Sequence, residues 1–279
     1  MSKMIAQHLR VVKAIPLLPG AEPFFCDVGG LGCLLLHGWG GTPQSMRYLG
    51  GRLQQAGITC FAPLLPGAGT CAADLAKTHA ADWVHAAEDH LLALHDRCPV
   101  VFVAGLSMGA ILTLYLGATF PDVVRGIVPI NGGVRLLKPE LAQMAFRRDL
   151  PTVIPSWDES WLLNDRSQVE VAYREMARTT LPDVLGLAKV AEELLPVLTI
   201  PVLIIQSRED RVLPPENGPY MMECIASADK RLVTLPNSYH VATMDYDRAL
   251  VADEVIGFVR RLAGSASDAG ATSVENVGD

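Results

Sequence analysis

Short, unbroken apolar runs alternate with longer segments whose apolar positions recur at helical spacing over most of this 279-residue chain. The runs at 32–36, 58–62, 100–105, 126–130, 202–206 and 231–235 predict strands, and 20–28 predicts a short edge-like lead-in. Unbroken rather than alternating hydrophobicity is what a parallel strand buried on both faces requires. Between the runs, 43–56, 82–95, the segment after Ser107, 216–226 and 247–262 predict helices, the first opening on Pro43, which suits a first helical turn. Strands alternating with helices predict an α/β fold with a mostly parallel sheet covered on both faces.

The alternation fails over 132–196. This segment is rich in proline and long apolar side chains (Met144, Phe146, Trp157, Trp161, Leu162, Leu163). It reads as a helical insertion over the edge of the sheet, between the 1–131 and 197–262 parts of the core. The last stretch, 263–279, has small and polar residues with almost nothing bulky to bury, which predicts a disordered tail.

Composition narrows the class. Half of the residues are hydrophobic, 19% are charged and the net charge is −7. A large core is therefore expected, and the lack of any basic run argues against a nucleic-acid partner. The six cysteines are scattered with no Cys-x-x-Cys pair, so free thiols in a reducing, cytoplasmic setting are expected. Lys3, Arg10 and Lys13 interrupt the start of the chain, leaving no apolar core for a secretory signal. No run approaches membrane-spanning length, so stable insertion is not expected.

The sharpest local feature is Gly105-Leu106-Ser107-Met108-Gly109, where a strand runs into a helix with a serine at the apex. A chain this long meets Gly-x-Ser-x-Gly by chance roughly one time in ten, so its surroundings decide. A serine nucleophile needs a base and a group that orients the base, and open α/β sheets present such groups at the carboxyl ends of strands. Downstream, 202–206 runs into Ser207-Arg208-Glu209-Asp210, and 231–235 runs into Asn237-Ser238-Tyr239-His240. The order is serine, acid, histidine. From position alone either Glu209 or Asp210 can be the acid; Asp245 and Asp247, beyond the histidine, are weaker candidates. The glycine-rich His37-Gly38-Trp39-Gly40-Gly41 turn offers an oxyanion donor, the N–H of Trp39, to complement that of Met108. His37 is expected to support this turn by hydrogen bonding rather than to ionise. His79, His85, His90 and His95 lack metal-ligand spacing and read as a solvated helix face; no metal or cofactor is expected.

These motifs resemble those of the α/β-hydrolases, and more narrowly the bacterial monoacylglycerol lipases and small carboxylesterases. The collinear resemblance spans roughly 18–262. It rests on Leu36-His37-Gly38, Thr42-Pro43-Gln44-Ser45-Met46, the Ser107 motif, Gly126-Ile127-Val128-Pro129-Ile130-Asn131, Gln206 to Pro215 and Asn237 to Thr243. It implies that the acid is Asp210 and that 132–196 is a helical cap inserted after the sixth strand, covering the site with an apolar, acyl-admitting surface. Ala110 and Ala68 depart from the family pattern. Relatives of this type hold the glycerol hydroxyl with a cap glutamate just after a tyrosine. Here Tyr173 is followed by Arg174 and then Glu175, which makes Glu175 the candidate contact and places glycerol-ester preference in question. The resemblance implies hydrolysis of short- to medium-chain acyl esters through an acyl-enzyme on Ser107. Acyl transfer or perhydrolysis by the same triad is the alternative, and a non-catalytic binding protein would need a missing triad member.

Overall fold

The structure, a computed structural model, describes residues 3–13, 16–135, 139–156 and 159–271. Trp157, one of the apolar residues expected in the cap, lies outside them. In chain order the strands are β1 (Phe24–Cys26), β2 (Leu31–Leu36), β3 (Thr59–Ala62), β4 (Val100–Leu106), β5 (Val124–Ile130), β6 (Val153–Pro155), β7 (Glu175–Ala177), β8 (Val202–Ser207) and β9 (Lys230–Leu235). All but β6 and β7 join in one sheet of seven, in the order β1-β3-β2-β4-β5-β8-β9. Within it only β1, at the edge, runs antiparallel to its neighbour.

Successive side chains of the central strands leave opposite faces of the sheet. Leu34, Leu36, Val101, Val103 and Ile127 pack on one face with Trp83 and Leu91 of α4 (Ala80–His95) and Ile111 and Leu112 of α5 (Met108–Thr119). Leu35, Phe102, Ala104 and Val128 pack on the other with Leu49 and Leu53 of α2 (Arg47–Gln55) and Val255 and Phe258 of α9 (Arg248–Ala271). Burial on both sides explains why these strands are apolar throughout. Strand order reverses between β2 and β4, which opens a crevice at their carboxyl ends where such folds bind ligands.

Four features differ from expectation. First, the insertion leaves the sheet after β5, the fifth strand rather than the sixth. Second, besides α6 (Pro139–Phe146) and α7 (Leu181–Leu194) it carries β6 and β7 as an antiparallel pair, so it is not purely helical. Third, α9 continues to Ala271, where a tail was expected from 263; the alanines at 263, 266, 269 and 271 favour helix, and the remainder of the expected tail, 272–279, lies outside the described residues. Fourth, an N-terminal helix, α1 (Lys3–Lys13), docks Ile5 and Leu9 on the core. The shorter elements are α3 (Ala72–Leu75) and α8 (Asn217–Cys224).

Candidate active site

Ser107 sits where β4 turns into α5. Its φ of 58° and ψ of −117° are unusual for a residue with a side chain, a strain held by the surrounding structure. The flanking glycines are required sterically. A Cβ on Gly105 would stand 2.1 Å from the Gly109 carbonyl oxygen, and one on Gly109 would stand 2.2 Å from that of Leu36. Ala110 is accommodated because Gly132, which faces it, has no side chain; a Cβ there would lie 2.8 Å from the Ala110 methyl.

The strand ends bring the three expected residues into one hydrogen-bonded chain. Ser107 Oγ lies 2.9 Å from His240 Nε2, and His240 Nδ1 lies 2.8 Å from Asp210 Oδ2. An ionised carboxylate only accepts, so Nδ1 carries the proton and Nε2 offers a lone pair to the serine hydroxyl. The other Asp210 oxygen accepts the N–H groups of Val212 and Leu213, each at 2.9 Å. Glu209 is exposed and takes no part. Burial disfavours the imidazolium of His240, but Asp210, by charge and hydrogen bond, together with Glu170 outweighs it, so the pKa lies above its ordinary value.

Two residues support this chain from behind. Asn131, at φ 44°, donates to the carbonyls of Tyr239 (3.1 Å) and His240 (2.7 Å) and to Ser207 Oγ (2.9 Å), tying β5 to the histidine loop. Asp245, weighed from sequence as a weaker acid candidate, is fully buried and serves elsewhere. Its carboxylate accepts four backbone N–H groups, from Asn164, Asp165, Tyr239 and Tyr246, at 2.7–2.8 Å.

The glycine-rich turn lies against the nucleophile. A Cβ on Gly38 would be 3.2 Å from that of Ser107. His37 is buried, accepts Leu65 N–H at Nε2 (3.1 Å) and donates from Nδ1 to the Gly38 carbonyl (2.9 Å). Burial pulls its pKa down to about 4, against the bond to Gly38, so the ring stays neutral and structural. Trp39 reaches the cap, its Nε1–H donating to Thr180 Oγ1 at 3.0 Å. The backbone N–H of Met108 opens α5, where an N-terminus favours negative charge.

Above Ser107 is a pocket walled by Ile111, Leu162, Leu181, Val184, Leu185, Val212 and Leu213, with Trp39 and Met108 also lining it. Among its lining residues the one acid is Glu170. Glu175 is not among them; it lies exposed on β7, paired with Pro155. Tyr173, two residues before it, donates its hydroxyl to the Gly67 carbonyl. Glu170 is half-buried as a residue, but its carboxyl is enclosed. Burial pushes that carboxyl up to about 7, with the charge of His240 pulling it the other way. Glu170 and Leu162 also border a second, more polar cavity lined by Ser160, Asp165, Arg166 and Gln168. Of the four histidines around α4, His90 is buried rather than solvated. Its Nε2 meets His8 Nδ1 of α1 at 3.2 Å.

The family model described as "Alpha/beta hydrolase family" matches residues 33–254. The chain belongs to the α/β-hydrolase family. It is 40% identical to a thermostable monoacylglycerol lipase of Bacillus sp. (strain H-257) over 250 residues, 89% of this chain and 98% of that one. It is 27% identical to a carboxylesterase of Bacillus subtilis (strain 168), over 86% and 97% of the two chains. A solved structure from work on two metagenome-derived lipolytic enzymes, LipS and LipT, superposes with a TM-score of 0.85 at 40% identity, covering 88% of this chain and 99% of that one. Among the described residues no helix is long and apolar enough to cross a membrane, and no cluster of side chains could hold a metal ion.

Proposed function

We propose that this α/β-hydrolase cleaves carboxylic esters that join an apolar acyl chain to a small polar alcohol, with a monoacylglycerol as the substrate that fits best. The observation that carries the proposal is the acid-lined end of an apolar pocket: Glu170 beside the Ser107–His240 pair, with aliphatic side chains around the rest. The two relatives named for monoacylglycerol and carboxylic ester hydrolysis support the same reading.

In this mechanism neutral His240 takes the Ser107 proton as Oγ attacks the ester carbonyl. The oxyanion is held by the N–H groups of Trp39 and Met108, each such donor typically contributing about 10²–10³ in rate. Asp210 fixes the imidazole and stabilises its charge. The imidazolium then protonates the leaving alcohol, whose hydroxyls meet Glu170, and water activated by His240 releases the acyl group. Near neutrality Glu170 can present either an acceptor-only carboxylate or a hydroxyl donor to those groups. Six free cysteines support a reducing, cytoplasmic setting for the enzyme.

The test compares kcat/KM for 1-monodecanoylglycerol with that for p-nitrophenyl decanoate, in the wild type and in Glu170→Gln. The expected result is a fall in the glycerol-ester to p-nitrophenyl-ester ratio of about tenfold, the worth of a hydrogen bond to a charged group. An unchanged ratio would remove Glu170 from alcohol recognition.

A further inference from the structure

The Thr42-Pro43-Gln44 motif follows the oxyanion turn, and none of its side chains enters the reaction. Its hydrogen bonds go to the cap. Gln44 Nε2–H donates to the Val169 carbonyl at 3.0 Å, and Gln44 Oε1 accepts the Val171 N–H at 3.1 Å. These two groups flank Glu170 on either side. A side-chain amide thus substitutes for a neighbouring strand, pairing with residues i−1 and i+1 of an extended segment. In an extended chain successive side chains point oppositely. Val169 is 71% exposed, and Glu170 turns inward to the pocket.

Two further bonds run the same way. Thr42, itself fully buried, donates from Oγ1 to the Val171 carbonyl at 2.8 Å, and Tyr173 N–H donates to the Gly40 carbonyl at 3.0 Å. Segment 168–173 belongs to neither sheet, so its register is set by these contacts. The turn also meets the carboxyl directly: a Cβ on Gly41 would stand 3.0 Å from Glu170 Oε1.

We infer that Gln44 is a specificity-positioning residue, a clasp that fixes the inward register of Glu170 relative to the oxyanion turn and so sets the preference for polar alcohols. The inference rests on the alcohol-recognition role proposed above for Glu170. The clasp joins residues 40–44 and 169–173 through four hydrogen bonds. Gln44 acts only through Glu170. Its removal therefore does nothing further once the carboxylate has gone, whereas two independent contributions would add.

The experiment is a double-mutant cycle on Gln44→Leu and Glu170→Gln, read as the ratio of kcat/KM for 1-monodecanoylglycerol to that for p-nitrophenyl decanoate. Gln44→Ala serves as a second variant, and melting temperatures verify the fold. Either Gln44 substitution is expected to lower the ratio about three- to tenfold, and the double variant to fall no lower than Glu170→Gln alone. The ionisable groups around the Glu170 carboxyl are His240 across the pocket and Glu159, Asp165, Arg166, Tyr173 and Arg174 along the second cavity. The pH at which the wild-type ratio changes, expected near the Glu170 value, should drop towards the ordinary carboxylate range in Gln44→Leu as the carboxyl gains water. If Glu170→Gln lowers the ratio but both Gln44 variants keep it, or if the effects add, the clasp is wrong and the Glu170 reading survives. If Glu170→Gln leaves the ratio unchanged, the underlying reading fails, and the clasp with it.

Discussion

In the proposed mechanism Ser107 and His240 carry the chemistry, and their pH behaviour follows from their neighbours. His240 must be neutral to accept the serine proton. Since Asp210 and Glu170 raise its pKa above the ordinary histidine value, the acid limb of kcat/KM for p-nitrophenyl butyrate is expected at a pH above about 6.5. Asp210→Asn removes the charge that raises it and disturbs the tautomer. The limb should then move to lower pH while the plateau falls by roughly 10⁴, as a pH–rate profile would reveal. Gly41 offers a second residue-scale prediction. Gly41→Ala places a methyl against Glu170 Oε1, and should lower the glycerol-ester preference several-fold, measured on the same substrate pair. Ser107 and His240 were legible because each follows a strand end in a local motif, whereas position left the acid open between the adjacent Glu209 and Asp210 and only the family resemblance pointed to Asp210. Glu170 was hidden, since nothing local marks its segment as extended, and only the Gln44, Thr42 and Gly40 contacts from a distant turn decide which residue faces inward.

At the scale of elements, the cap is strapped to the core along one side. Val241 N–H donates to the Leu162 carbonyl at 2.9 Å, and Asp245 gathers amides from both the cap segment at 164–165 and the histidine loop at Tyr239. A buried carboxylate with four N–H donors loses more than one bond when it becomes an amide, whose own N–H groups then face donors. Asp245→Asn should therefore destabilise the fold by on the order of 3 kcal/mol, with a loss of kcat from displacement of His240. Denaturant melts and kinetics on the purified variant measure both. Strand and helix positions in the core were legible because two-sided burial leaves a strong hydrophobic signature. The β6–β7 pair was not, as three-residue strands are too short to show a period, and the cap's side chains are apolar in either conformation.

The whole molecule adds a helix that sequence patterning passed over. The stripe Ile5, Leu9 and Val12 of α1 is amphipathic, but a three-turn segment before the first strand carries no motif to announce its docking. It is held by His8, whose Nε2 accepts the Leu64 N–H at 3.3 Å and whose Nδ1 meets His90. Burial lowers the pKa of both rings, that of His90 to about 3, helped by the neighbouring His8. For a base with a lowered folded-state pKa, the unfolded chain binds more protons below its own value near about 6.5. Stability is then complete above that pH and declines as pH falls towards the folded-state value of about 3. Chemical denaturation from about pH 7.5, above that window, to about pH 4.5, within it, should show this decline, and His90→Gln should flatten it. A slope unchanged in that variant would place the acid sensitivity elsewhere, with His37 the next candidate.

The proposed chemistry passes through an acyl-enzyme at Ser107. The most direct measurement is rapid quenching of p-nitrophenyl butyrate turnover, followed by mass analysis of the intact protein and its peptides. Ester chemistry by this triad predicts a butyryl adduct on the peptide carrying Ser107, and neither adduct nor turnover in Ser107→Ala. Hydrolysis that persists in Ser107→Ala, or an acyl group found on another residue, would contradict it.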